Sequence, residues 1–237
     1  MALIRLDKYI CDMGLATRSN AKKMIKDGRF AVDGAVSADC GLRFDPEISA
    51  VSMDGRELSY KRMRYFAMDK PAGVLTATAD RKQKTVLELL PPEVRRMGVF
   101  PVGRLDKDTT GILLFTNDGE FAHRVISPAS GIKKTYRARV DGVPDQGDVR
   151  RFSEGITLAD GTKCLPAELE LLGGDTCLVT VMEGKYHQIK RMLASVGKPV
   201  RELRRLSVGG LKLPESLPSG GVFELSEADL CIVMDKK

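Results

Sequence analysis

Residues 103–119, GRLDKDTTGILLFTNDG, set two carboxylates, Asp106 and Asp108, in a polar loop between two apolar runs. Residues 99–102 read as a strand entering the loop and residues 112–116 as a buried strand leaving it, with Gly103 and Gly111 at its bounds. A loop held by two strands places a carboxylate for catalysis. The same spacing also suits an Asx turn, in which the acids bind only backbone amides. Spacing alone chooses neither between these readings nor between the two acids. Two other segments carry groups that could act beside them. Lys134-Thr135-Tyr136-Arg137-Ala138-Arg139-Val140 reads as a strand carrying an aromatic. After Glu183-Gly184-Lys185-Tyr186, a helix buries Ile189, Met192, Leu193 and Val196 at helical spacing and stops at Gly197. Its next face carries His187, Lys190, Arg191 and Ala194.

Charge narrows the partners. The 237 residues include 38 Lys and Arg against 32 Asp and Glu, so 38 − 32 = +6, a balance that suits a polyanion without requiring one. The excess is local. Residues 1–60 hold nine bases and nine acids, yet five of those bases and one acid fall within residues 17–29. There Thr17 is an N-cap, residues 18–27 a helix and Gly28 its stop. Ala21, Met24 and Ile25 form its apolar stripe, while Arg18, Lys22 and Lys26 make a cationic row with Lys23 beside them. Such a row reads equally as a solvated face or as a phosphate-binding surface. Arg29-Phe30-Ala31-Val32 then reads as a strand, with Asp33-Gly34 and Asp54-Gly55 as tight turns. Lys61-Arg62-Met63-Arg64 is a basic linker, and Tyr65-Phe66-Ala67-Met68 a new strand before the turn Asp69-Lys70-Pro71-Ala72-Gly73.

Five scattered cysteines without a Cys-x-x-Cys pair, and only two histidines, argue against a zinc site and for reduced thiols. Charge at the start leaves no apolar core for a signal peptide, and no apolar run approaches the roughly 18 residues of a membrane helix. The expectation is a cytoplasmic protein with no membrane partner.

The opening Arg5-Leu6-Asp7-Lys8-Tyr9-Ile10, the basic helix and the GRFAVDG strand and turn resemble the small RNA-binding domain first known from ribosomal protein S-four. That resemblance implies RNA contacts by Arg5, Lys8, Arg18, Lys22, Lys23 and Lys26. The segment GRLDKDTTGILLFTNDG resembles the active-site motif of the RsuA/RluA-type pseudouridine synthases, and within them the RsuA branch. It implies that Asp106 is the nucleophile, that Asp108 supports it, and that Arg104 fills the gap left in the RNA stack when uridine leaves. Lys134-x-Tyr136 is similar to the second motif of that family, which implies that Tyr136 lies against the target uracil and Lys134 against RNA. Tyr186-His187-Gln188-Ile189-Lys190-Arg191-Met192 is similar to its third. There Lys190 would pair with Asp106 where many relatives use arginine, Arg191 would face RNA, and His187 would be structural or RNA-facing. Asp69 departs from the asparagine that relatives often carry.

The implied fold is α+β. A small α/β RNA-binding module (residues 1–60) and a linker (61–64) precede a catalytic domain (65–237). That domain would be a mixed, mainly antiparallel sheet flanked by helices, with a cleft across its middle. The alternation Leu178-Val179-Thr180-Val181 after a Gly173-Gly174-Asp175 turn supports this reading independently. The implied reaction turns uridine into pseudouridine in ribosomal RNA, and the branch favours uridine 516 of small-subunit 16S RNA. It breaks the bond from ribose to ring nitrogen and rejoins ribose to ring carbon 5. With no redox change or group transfer, neither cofactor nor metal is expected. A carboxylate must act on the ribose, by adding to the anomeric carbon or by removing a sugar proton. The partner is ribosomal RNA or an assembling small-subunit particle, met by a monomer. Rival readings are a large-subunit RNA synthase, a non-catalytic RNA-binding assembly factor, and a hydrolytic glycosidase using Asp108 as second carboxylate.

Overall fold

The computed structural model describes residues 3–235, and the chain divides into two compact units, Met1–Arg64 with Leu90–Val99 and Tyr65–Leu89 with Phe100–Lys237.

In the first unit β1 (Ile4–Arg5) leads into α1 (Leu6–Asp12), and α2 (Arg18–Lys26) follows. Thr17 caps α2 by accepting the Asn20 amide at 3.4 Å. Ala21 and Ile25 are buried on one side of α2, while Arg18, Lys22, Lys23 and Lys26 stay exposed on the other. Next come β2 (Phe30–Val32), β3 (Ala35–Val36), β4 (Arg43–Phe44), β5 (Val51–Met53) and β6 (Arg56–Leu58). An antiparallel sheet forms in the order β3-β2-β5-β6, and β4 pairs with β1. Both expected turns are present: Asp33 and Asp54, each at φ 50°, precede glycines at φ 79° and 78°. Two left-handed residues in succession match the twist of the flanking strands. Leu6, Tyr9, Ile10, Ile25 and Phe30 are the heart of this unit's core.

The remaining elements are β7 (Tyr65–Lys70), α3 (Val86–Leu89), α4 (Pro92–Arg96), β8 (Phe100–Val102), β9 (Thr110–Thr116), α5 (Gly119–Ile126), β10 (Lys134–Val140) and α6 (Gln146–Glu154). After them come β11 (Glu168–Gly173), β12 (Thr176–Val181), α7 (Gln188–Ser195), β13 (Val200–Val208), β14 (Leu211–Lys212), β15 (Val222–Glu224) and α8 (Glu227–Val233). The sequence reading puts α4 with residues 65–237, whereas it clusters with the first unit. The reason is a close backbone approach. Arg96 donates to the Gly14 carbonyl at 2.8 Å, and a side chain at position 14 would lie 2.6 Å from the Glu93 carbonyl. A second difference concerns Asp69 and Lys70, read as part of a turn. They are the last two residues of β7, and both are buried.

The second unit is a nine-stranded sheet in the order β11-β12-β10-β13-β9-β7-β15, with β14 beside β13 and β8 beside β9. Every pairing is antiparallel except one. β13 and β9 run parallel through two residue pairs, Arg204 with Thr110 and Arg205 with Gly111. One apolar core, with Phe152, Val179, Met192 and Leu193, gathers on the β10–β13 side of that seam. Another, with Ala67, Ile112, Leu114 and Phe121, gathers on the β7–β9 side. Ile112 to Phe115 are buried without alternation, as expected of a strand covered on both faces.

The seam depends on a missing side chain. Gly111 sits at φ 101°, and a Cβ there would lie 2.1 Å from the Arg205 carbonyl oxygen. Gly111→Ala therefore combines backbone strain with overpacking, an expected loss of about 3–5 kcal/mol. Gly174→Ala, at positive φ in a turn with nothing within 4 Å of the added carbon, serves as control and should lose about 1 kcal/mol. Urea unfolding of both variants checks the difference, and equal losses would show that the seam tolerates a side chain.

Candidate active site

Asp106 lies on the loop between β8 and β9, and the loop is fixed from beneath before any charge is considered. Thr76 donates to the Leu105 carbonyl at 2.7 Å and accepts the Leu105 amide at 3.2 Å. The Gly73 amide donates to the Lys107 carbonyl at 2.7 Å. Lys70, wholly buried at the end of β7, donates to the carbonyls of Pro71 at 2.9 Å, Lys107 at 3.3 Å and Thr109 at 3.0 Å. Its three protons meet three acceptors, as a buried ammonium requires. Burial pulls its pKa down to about 8, against the opposing pull of Asp108 and Asp106. Sequence reasoning took Lys-Pro-x-Gly only as a turn. The missed signal was a lysine continuing the apolar run Tyr65-Phe66-Ala67-Met68.

The carboxylates meet α7 above this floor. The Lys190 ammonium lies 3.1 Å from Asp106 Oδ2 and 2.5 Å from Asp108 Oδ1, so one cation bridges both acids. Burial works against the Lys190 charge, but the bonds to Asp108 and Asp106 outweigh it and raise its pKa. The bond from Lys190 holds the Asp108 carboxyl below its usual range. His187 Nε2 stands 3.4 Å from the other oxygen of Asp106. His187 is the N-cap of α7 and is left-handed at φ 48°, ψ 33°, a conformation costing a residue with a side chain about 1–2 kcal/mol. The surrounding segment is braced by buried groups. Gln188 donates to Glu183 at 2.8 Å and accepts the Lys185 amide at 2.9 Å, and Glu183 accepts the Leu165 amide at 2.9 Å.

Tyr136 lines the same cleft as Asp106, His187 and Lys190, and Arg104 is exposed at its edge. Arg205 steadies Tyr136. Its Nη1 donates to the phenol oxygen at 3.4 Å, while its Nε donates to the Ile112 carbonyl at 2.8 Å. Two arginines inside one strand, Arg204-Arg205, were the overlooked sequence signal. Arg204 forms a two-bond pair with Asp69 at 2.9 and 2.8 Å, which is how this chain employs an acid in place of asparagine.

The residues expected to touch RNA fare differently. Arg18, Lys22, Lys23 and Lys26 present an exposed row. Arg5 binds both oxygens of buried Asp7 at 3.0 Å, and Lys8 binds Asp12 at 2.6 Å. Arg191 pairs with Asp160 at 2.5 Å and reaches the Tyr186 carbonyl at 3.5 Å, so it braces the segment before α7. Lys134 is buried, and its ammonium is pulled down to about 8 by burial and by Arg205. Alternation along β10 turns Lys134 inward with Tyr136, which leaves little of its surface for the RNA contact that the resemblance implies.

A model of the RNA pseudouridylate synthase family matches residues 64–195, and the S4 domain matches residues 4–43. The chain is 39% identical to the uncharacterized RNA pseudouridine synthase YtzG of Bacillus subtilis, over 96% of this chain and 97% of that one. It is 39% identical to the ribosomal small subunit pseudouridine synthase A of Vibrio cholerae, over 97% and 99%. A solved pseudouridylate synthase structure superimposes with a TM-score of 0.69 at 30% identity, over 97% and 99%.

The floor beneath the carboxylates yields a test. Lys70→Met keeps the length of the chain but strips the Thr109 carbonyl of its Lys70 donor and leaves the Lys107 carbonyl with the Gly73 amide alone. Each buried group left unpaired costs about 1–3 kcal/mol, and a shift of the loop by about 1 Å would slow single-turnover reaction about 100-fold. The folded pKa near 8 is below the free value of 10.5, so the folded state gives up this proton first. The burial penalty is in force below pH 8 and is relieved as pH rises toward 10.5. The stability gap between wild type and Lys70→Met should accordingly widen from pH 7 to pH 9.5, read by urea unfolding at both. A gap that narrows would contradict the assignment.

Proposed function

The chain belongs to the RNA pseudouridylate synthases, isomerases that act on RNA, and we propose that its target is uridine 516 of small-subunit 16S ribosomal RNA, with Asp106 as the catalytic carboxylate. The observation that carries the assignment is Asp106 itself, held between Lys190 and His187 in the cleft that Tyr136 lines. Support for the small-subunit target comes from the name of the Vibrio cholerae relative and from the wording of the Tyr186 to Met192 segment.

In this reading each group has a task. The target uridine leaves its stack at a cost of a few kcal/mol, and Arg104 at the edge of the cleft occupies the gap. Tyr136, fixed by Arg205, lies against the uracil and limits how far the freed ring travels. Asp106 acts on the ribose, and Lys190 supplies the counter-charge where low dielectric makes it count most. The bond from the anomeric carbon to N1 breaks, the ring turns, and the bond to C5 forms. The C5 proton leaves and N1 gains one, so the atoms balance without a cofactor. Asp108 shares Lys190 and sets how firmly that ammonium is held. The exposed row on α2 supplies phosphate contacts that add affinity for RNA of any sequence. We infer a cytoplasmic enzyme working as a monomer; among the described residues no helix is long and apolar enough to cross a membrane.

Chemical mapping of pseudouridine in both ribosomal RNAs from a strain lacking the gene tests the target. Loss at uridine 516 of 16S RNA, restored by wild type but not by Asp106→Asn, is the expected result. Loss only in large-subunit RNA would reassign the target, and activity kept by Asp106→Asn but lost in Asp108→Asn would reassign the carboxylate. The α2 row has its own readout. Replacing Arg18, Lys22 and Lys26 together by alanine should weaken RNA binding and flatten the log-log salt dependence by roughly one unit per lost contact. An unchanged slope would mean that the row faces solvent in the complex.

A further inference from the structure

Tyr186 stands out as a large aromatic in water, between Lys185 and His187, which both line the cleft. It is 74% exposed, and its ring stacks on the His187 ring at 3.9 Å between centroids and 17° between planes. Consecutive side chains diverge along a helix or a strand, and the left-handed turn at His187 is what brings these two face to face. The stack is rigidly mounted. Arg191, itself tied to Asp160, holds the Tyr186 carbonyl, and the Glu183–Gln188 bonds fix the backbone on either side. His187 in turn reaches Asp106 at 3.4 Å. The column thus runs from the catalytic carboxylate through the imidazole to a phenol ring whose outer face meets solvent. Lone exposed aromatics are common and need no explanation. A strained, braced and prestacked one beside a reacting carboxylate does, since strain of this kind persists where it serves a site.

We propose that the Tyr186–His187 stack is a base-stacking subsite for a nucleotide next to the target uridine. The proposal rests on the reading that Asp106 receives the target. An aromatic face takes any base, because every base has a π surface, so the subsite would hold the RNA strand in place without reading its sequence. The stacking partner is already ordered in the free protein, which lowers the entropy lost when the base arrives. A neighbour drawn out of the stack together with the target leaves its own stacking partner behind, and Tyr186 supplies a replacement one ring-thickness beyond His187, while Arg104 occupies the gap in the helix.

The test uses the full-length protein and unmodified 16S transcripts, assayed by pseudouridine formation. Tyr186→Leu keeps an apolar side chain but has no π face, whereas Tyr186→Phe keeps the face and loses only the hydroxyl. The expected result is that Tyr186→Leu raises KM about 5- to 150-fold, the range of one lost base stack, with the rate at saturation changed far less. Tyr186→Phe should restore the wild-type KM. A second arm uses an RNA hairpin carrying the target with an abasic nucleotide on its 5′ or its 3′ side. One of the two should weaken wild type as much as Tyr186→Leu does and have little further effect on Tyr186→Leu, the non-additivity of a shared contact. Full additivity at both positions, or an unchanged KM in Tyr186→Leu, would overturn the subsite. Failure of wild type to modify any ribosomal RNA would instead overturn the functional reading. Binding of the abasic hairpins would then still decide the subsite.

Discussion

β9 and β13 come from distant parts of the chain, yet they run side by side through two residue pairs because position 111 has no side chain. Much of the catalytic unit follows from that approach. β9 brings the Asp106 loop to the seam at its N-terminal end, and the segment between β12 and β13 folds into α7. When the two strands meet, the loop and the first turn of the helix meet with them. Asp106 and Lys190 are 84 positions apart in sequence (190 − 106) and 3.1 Å apart in space. The two apolar cores lie towards opposite sides of the seam, and the cleft opens at the rim of the first, whose Val181, Ile189 and Leu203 line it beside the charged groups. Arg205 closes the arrangement, since its backbone abuts Gly111 while its side chain serves both the Ile112 carbonyl and Tyr136.

Charge inside such a cleft is costly unless it is shared, and here it is shared in two layers. Below the loop, Lys70 spends its three protons on carbonyls and touches neither acid directly. Above it, Lys190 binds Asp106 and Asp108 together. A buried ion pair usually contributes little net stability, because desolvation offsets most of the attraction. The value of this one is in placement. Two acids competing for one ammonium hold it in a fixed position. Asp108 is the more exposed of the two, so the pair remains in touch with solvent on one side. The free protein therefore already has the counter-charge where the reaction needs it, and little reorganisation is left for the moment of reaction.

What the sequence discloses and what it hides follow a physical division. Asp33-Gly34, Asp54-Gly55, the Thr17 cap and the buried stripe of α2 are local features, decided by backbone preference and side-chain periodicity within a few residues. All were legible. So was the alternation that makes β12 a half-buried strand. Asp106, Tyr136 and Lys190 could be named only through family resemblance, because spacing alone left Asp106 and Asp108 equivalent. Partnerships across the fold stayed invisible. Nothing near Lys70 announces two carbonyls from a loop about forty residues on, and nothing near Arg191 announces Asp160. The burial of Lys134 stayed hidden for the same reason. A lysine at the start of a strand reads as a surface cation until the strands beside it cover it. The return of α4 to the first unit likewise depends on a close approach at Gly14 that no local pattern encodes.

Affinity and selection have separate physical sources in this chain. The row Arg18, Lys22, Lys26 sits on a folded module with its own core, and phosphate contacts of that kind strengthen binding to every RNA alike. On the proposed reading they hold the polymer near the enzyme but cannot choose a uridine. Choice then falls to the cleft, which would admit only a nucleotide that has left its stack, so the cost of unstacking becomes part of the discrimination. A uridine in a strained or loosely stacked setting enters cheaply, and one in a regular helix does not. The braced segment from Glu183 to Gln188 sharpens that difference. Because the cleft is already set before RNA arrives, the protein does not reshape itself around a poorly placed nucleotide, and the full cost of a misfit falls on the RNA. Rigidity at Asp106 is thus a source of specificity as well as of rate, and both trace to the same buried hydrogen bonds.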